Sequence, residues 1–147
     1  MKLKGEAFIV GAYEHPTRHA ADTPLAQLHA EVAAGALADA GLTIADVDGY
    51  FCAGDLPGWE APGVGPFSMV EYLGLNLRHL DTTESWGSAY INHVAHAVQS
   101  IQAGKCRVAL ITQAGRPRAD RQAPSTCTFN RPRRPPRRPS SYLTARS

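Results

Sequence analysis

Residues 81–115 read DTTESWGSAYINHVAHAVQSIQAGKCRVALITQAG, and this stretch decides the fold. It is preceded by His79-Leu80, so His79–Thr83 predicts a short strand that runs into a turn of small residues. A helix is expected from Ser88 to Ala103, with Ile91, Val94, Ala95, Val98 and Ile101 on one face and Gly104 placed to stop it. Val108-Ala109-Leu110-Ile111 follows as an apolar run without alternation, the mark of a strand covered on both faces. Strand, helix and strand in that order predict parallel pairing through a right-handed crossover.

The same grammar extends toward the N-terminus. Phe8-Ile9-Val10-Gly11-Ala12 predicts a buried first strand. Thr23 is positioned to cap a helix that opens on Pro24 and carries Leu25, Leu28, Val32, Ala36 and Ala40 on one stripe before Gly41. Thr43 starts a turn through Ile44-Ala45-Asp46-Val47, and a second strand is expected around Gly49–Ala53. Four glycines and three prolines between Gly54 and Pro66, with Trp59 among them, predict a loop long enough to be functional. Phe67, Val70, Tyr72 and Leu73 predict a short helix. The expectation is an α/β domain with a mainly parallel sheet of four strands.

At 147 residues, with 44% apolar and 19% charged residues, the chain suits one modest domain with a real core. No apolar run is long enough for a membrane span, and the start MKLKGEAFIV lacks a signal-peptide stretch. Cys52, Cys106 and Cys127 are odd in number and widely spaced, which fits neither a disulfide framework nor a zinc site. These features predict a soluble, cytoplasmic protein. Charge divides the chain into 1–115 and 116–147. Residues 1–114 carry three Lys, three Arg and twelve acids, net −6; residues 115–147 carry nine Arg and one acid, net +8. The strip RPRRPPRRP at 131–139 has no apolar periodicity and predicts a disordered or polyproline-like tail. Its two PxxP stretches suit an aromatic groove; its abrupt composition also suits translation out of frame. Because the charge is segregated, the basic pI does not indicate a nucleic-acid-binding fold.

Ligands approach the carboxyl ends of parallel strands, where helix N-termini point. The turn Asp81–Tyr90 is therefore the candidate site. Its backbone amides at Gly87 and Ser88 could stabilise a negative oxygen or activate a nucleophile, or Ser85 and Ser88 could simply cap the helix. Trp59 and Trp86 could line an acyl or steroid pocket or serve as packing. Cys52 reads as a small buried residue rather than a nucleophile. His93 and His96 read as packing or dimer contacts. His15 and His19 flank Pro16, which opposes the helical alignment a metal site would need, so no metal is expected. Gly63-Val64-Gly65 lacks the spacing of a dinucleotide fingerprint.

The run 81–115, together with Ile9-Val10-Gly11-Ala12, the helix ending in Gly41-Leu42, and Asp46-Val47-Asp48-Gly49, resembles the thiolase superfamily, specifically its lipid-transfer or sterol-carrier-type members. The resemblance spans about residues 5–115. It implies the N-terminal half of a thiolase-like fold with a buried long helix, a homodimer, and acetyl-CoA acetyltransferase-like acyl transfer or carbon–carbon cleavage on a coenzyme A thioester. Coenzyme A would be part of the substrate, with no covalently bound cofactor. The family's nucleophilic cysteine falls at Gly87, with Ser88 beside it, so the thiol is not retained; Ser85, Trp86 and Trp59 fall where substrate would bind. The family's C-terminal half, with its remaining catalytic residues, would also be missing. Cysteine-lacking relatives are retro-aldolases with an OB-fold partner subunit. The expected function is thus that of a truncated thiolase-like protein, inactive alone; the alternative is a non-catalytic lipid-carrier or assembly subunit. A third reading is a module that binds through its basic tail. Neither nucleic acid nor membrane is expected as a partner of the folded part.

Overall fold

The computed structural model describes residues 7–20, 22–53 and 66–114. The first helix, α1 (Leu25–Ala40), starts one residue later than the sequence suggests, with Pro24 as its N-cap at φ −57°, ψ 144°. Proline's fixed φ and the extended ψ turn the chain into the helix, and Thr23 is not the cap. Gly41 ends α1 at φ 67°, where Leu42 N–H donates to Leu37 O at 2.9 Å. This left-handed closure favours glycine because it has no Cβ to clash.

A short 3-10 turn at Ile44–Asp46 follows, held by Asp46 Oδ2, which accepts from both the N–H and the hydroxyl of Thr43 at 2.8 Å. Then come β1 (Gly49–Cys52), α2 (Pro66–Leu73), β2 (His79–Asp81), a 3-10 turn at Trp86–Ser88, α3 (Ala89–Gln102) and β3 (Ala109–Thr112). The sheet order is β2-β1-β3 and both pairings are parallel, with Gly49 opposite His79 and Ala109. The result is α/β, with three helices and a three-stranded parallel sheet among the described residues.

Asp48 ties the strands together at their amino ends. Its Oδ1 accepts from the N–H groups of Arg107 and Val108 at 2.7 and 2.8 Å, and its carbonyl accepts from those of Arg78 and His79 at 2.8 and 3.1 Å. Beside it, Gly49 is required by contact: a Cβ there would lie 2.7 Å from the sulfur of buried Cys106.

The two faces of β1 receive different layers. Tyr50 and Cys52 join Leu25, Leu28, Leu37 and Met69 in the core under α1 and α2. Phe51 points to the other face and meets the ring of His93 on α3. Every residue of β1 is buried, as expected of a central parallel strand.

Two expectations need correction. Phe8–Ala12 is not a strand; the segment is irregular and Ile9 is 79% exposed. It is held to α1 instead: Ala12 N–H donates to Asp39 Oδ2 at 3.0 Å, and a Cβ on Gly11 would collide with the Ala36 carbonyl. An apolar cavity separates the segment from β3, so it has no strand to pair with. The long helix α3 is also not buried all round. Its inward face is Ala89, His93, Ala97 and Ser100, while Ile91 is 59% exposed. Small side chains let α3 approach the sheet closely, while Val94, Val98 and Ile101 line the cavity beside β3. The expected loop at 54–65 with Trp59, and the Arg/Pro tail with Cys127, lie outside the described residues.

Candidate functional site at the carboxyl edge of the sheet

Thr112, Cys52 and Asp81 end their strands at one edge, where the chain enters α3. Under α1, Thr112 Oγ1 lies 2.8 Å from His29 Nδ1 and 2.7 Å from Tyr50 OH. His29, Tyr50 and Thr112 are all buried, so each hydrogen bond replaces water that the fold has removed. Burial lowers the His29 pKa to about 4, which keeps the ring neutral near pH 7. Burial also raises the Tyr50 hydroxyl and the Cys52 thiol. Cys52 is therefore held as the thiol, the unreactive form. His29 Nε2 has no hydrogen-bond partner among the described residues.

A second cluster joins β2 to α3. His96 Nδ1 lies 3.0 Å from Asp81 Oδ2, Thr83 Oγ1 donates to Asp81 Oδ1 at 2.9 Å, and the same hydroxyl is 3.2 Å from His96 Nδ1. His93, one turn earlier, packs against Phe51; burial lowers its pKa, opposed by a hydrogen bond to the Thr83 backbone and by Asp81.

The residues singled out from the sequence sit beside this edge. Ser88 is the N-cap residue of α3, and its hydroxyl donates to Ser85 O at 2.8 Å. Ser85 Oγ accepts from Asn92 Nδ2 at 2.7 Å. Gly87 is exposed, and a Cβ there would meet open space. The structure thus brings Ser85 and Ser88 together through the turn, with no histidine hydrogen-bonded to either; the side chain of Trp86 and all of Trp59 lie outside the described residues. Midway along α1, His15 Nε2 contacts Glu31 Oε2 at 2.8 Å. Among the described residues no group of three His, Cys, Asp or Glu is placed to hold a metal, and no helix is long and apolar enough to cross a membrane.

Sequence reasoning missed both polar clusters. His29 and Thr112 stand far apart in sequence, and only the parallel closure of β3 on β1 makes them neighbours. A histidine at a core position of the α1 stripe was the available signal.

A parallel sheet between two helix layers, with polar side chains gathered at its carboxyl edge, places the chain in the open α/β class. It shares this fold with a solved structure titled "Ltp2-ChsH2(DUF35) aldolase", at 23% sequence identity and a TM-score of 0.53, over 61% of this chain and 22% of that one. No family model matches the sequence. No curated protein matches it.

These findings correct the identification drawn from residues 81–115. The matched structure is titled an aldolase of named components, not an acetyl-CoA acetyltransferase, and at this identity the likeness shows the fold alone. The lipid-transfer-thiolase identity falls, and with it the acyltransferase reading of a truncated enzyme. The residues that carried the resemblance follow rules common to α/β units: a glycine after each helix, a small-residue turn, and an apolar parallel strand.

Proposed function

We propose that this chain is a non-catalytic assembly subunit, the second of the readings drawn from the sequence, and that it docks on an Ltp2-type partner within an aldolase assembly. The observation that carries the reading is the two-sided character of α3. Its inner face already covers the sheet, yet Ile91 and Tyr90 remain exposed, and Val94 is half-open along the cavity beside β3. Exposed apolar side chains on a helix that already packs against a sheet mark an interaction surface. The matched assembly supports the choice of partner through its title, which names Ltp2 and a DUF35 component.

The carboxyl edge supports a non-catalytic role. The Ser88 hydroxyl is engaged by a backbone carbonyl, Cys52 is a buried thiol, and the neutral His29 is sealed beneath α1. Nucleophilic catalysis needs an accessible nucleophile within reach of an activating base; Thr112 meets His29 only in the buried core, and the Thr83 hydroxyl beside His96 donates to Asp81.

The test mixes the full chain with purified Ltp2 and follows mass by light scattering. The expected result is a stable joint peak, with affinity reduced about tenfold or more by Ile91→Asp. The reading is overturned if the two proteins elute separately at about 100 µM, or if the chain alone cleaves a thioester substrate.

A further inference from the structure

We propose that Phe8–Val10 is a strap that swings from Gly11 into the cavity beside β3 and pairs with that strand as a fourth, parallel member of the sheet; this goes beyond the assembly reading and does not rest on it. The strap itself gives the first argument. Phe8 and Ile9 are each 79% exposed and Val10 is 62% exposed, yet all three border an apolar cavity. Three apolar side chains in water beside an empty apolar space favour closure. Among the described residues, none hydrogen-bonds to the backbone of 7–10, so closing breaks no such bond.

The edge of β3 offers what the strap lacks. Gly49 N–H donates to Val108 O, so the alternation of a parallel ladder directs the N–H and C=O of Leu110 toward β1. The backbone groups of Ala109 and Ile111 consequently face the cavity. Leu37 and Ala40 of α1 wall it on one side and Val98 and Ile101 of α3 on the other, so both helix layers reach beyond β3. A strand placed there is covered on both faces. Phe-Ile-Val, apolar at every position, suits that double coverage.

Direction and handedness agree with this pairing. Gly11 packs against Ala36 and Ala40, Tyr13 against Gly35, and His15 reaches Glu31, so the chain runs along α1 from its end toward its start. Since α1 leads through a short turn into the amino end of β1, it runs against the strands, and the strap points along them. The path β2–α3–β3 crosses the sheet one way with α3 on one face. A paired strap followed by α1 and β1 crosses the other way with α1 on the opposite face. The two crossovers then share one hand, as parallel connections require.

The anchor lies where the strap begins. A Cβ on Gly11 would collide with the Ala36 carbonyl, and Ala12 N–H is held by Asp39. Closure therefore needs backbone rotation only at the residues just before this anchor, the usual form of a hinge. A segment tethered so near meets the edge at the high effective concentration of an intramolecular partner, which favours it over a separate molecule.

The experiment compares the full chain with Ile9→Asp by amide hydrogen exchange and NMR, because a carboxylate resists entry into an apolar cavity. The amides of Ala109 and Ile111 should exchange about tenfold or more slowly in the parent than in the variant. Those of Tyr50 and Phe51, on the central strand, should exchange alike in both and so report that the variant is folded. Nuclear Overhauser contacts between backbone protons of 8–10 and 109–111 should appear in the parent, since paired strands lie about 4.8 Å apart. Equal exchange at Ala109 and Ile111 in the two folded chains overturns the inference, as does absence of the contacts. So does protection that disappears on dilution, which marks pairing between two copies. Where fast exchange at Tyr50 and Phe51 shows that Ile9→Asp has unfolded, the contacts in the parent chain decide by themselves.

Discussion

The two faces of the sheet solve opposite packing problems. Under α1, large apolar side chains and a hydrogen-bonded His29–Thr112–Tyr50 cluster fill the interior, and α2 adds Met69 to the same core. Against α3 the contact is made by alanines, a serine and His93, while Val94, Val98 and Ile101 line a cavity beside β3 and Ile91 is exposed. The first face is finished within this chain. The second is built for close approach and leaves Ile91 exposed. The size of the residues facing the sheet separates the two helices: Leu25, Leu28 and Leu37 on α1 against Ala89, Ala97 and Ser100 on α3.

The sharpest way to break this comparison is a pair of truncations. Leu28→Ala should cost about 2–5 kcal/mol in urea unfolding, because it removes buried methyl groups and leaves a cavity. If Ile91→Ala costs as much in the free chain, the outer face of α3 is core and the contrast fails.

Acid should reveal the finished face. His29 has a folded pKa of about 4, below its ordinary value of 6.5, so the unfolded chain takes up the proton first as pH falls. Stability from this group is fully present above pH 6.5 and is lost as pH falls toward 4. The loss is about 3 kcal/mol. Unfolding measured between pH 7 and 4 should show this slope, and His29→Gln should flatten it while leaving other acid-sensitive groups in place.

Smaller effects test the strand ties. Asp48→Ala should cost about 1–3 kcal/mol, since it strips the acceptor from the amides of Arg107 and Val108. Hydrogen exchange should rise at those two positions before the rest of β3. The smallest change in stability belongs to the open face: Ile91→Asp should shift unfolding by no more than about 0.5 kcal/mol, whereas on the proposed assembly the same substitution should weaken Ltp2 binding about tenfold or more. Together, these two results would show that the residue serves an interface.

Much of the fold was legible because local rules and tertiary contacts agreed. Gly41 after α1, Gly104 after α3 and the apolar run at β3 each carried a local signal that the structure repeats. Phe8–Val10 misled because strand propensity describes a segment, whereas a strand needs an adjacent edge. The spacing of Ile91, Val94 and Val98 gave helical periodicity but not its direction, since an apolar stripe can face a core or a partner. At the candidate site, Ser85 and Ser88 could be placed on their turn from the sequence. The His29–Thr112 and Asp81–His96 pairs could not, because their partners meet only after the sheet has closed.

The central position of β1 also sets an order of events during synthesis. Its neighbours, β2 and β3, both lie later in the chain, with Gly49 waiting first for His79 and then for Ala109. A ribosome-bound chain that has passed Cys52 therefore carries Tyr50 and Phe51 without either lateral neighbour. Such non-local closure is slow, and the growing chain meets chaperones with the strand that ends up most deeply buried still unpaired.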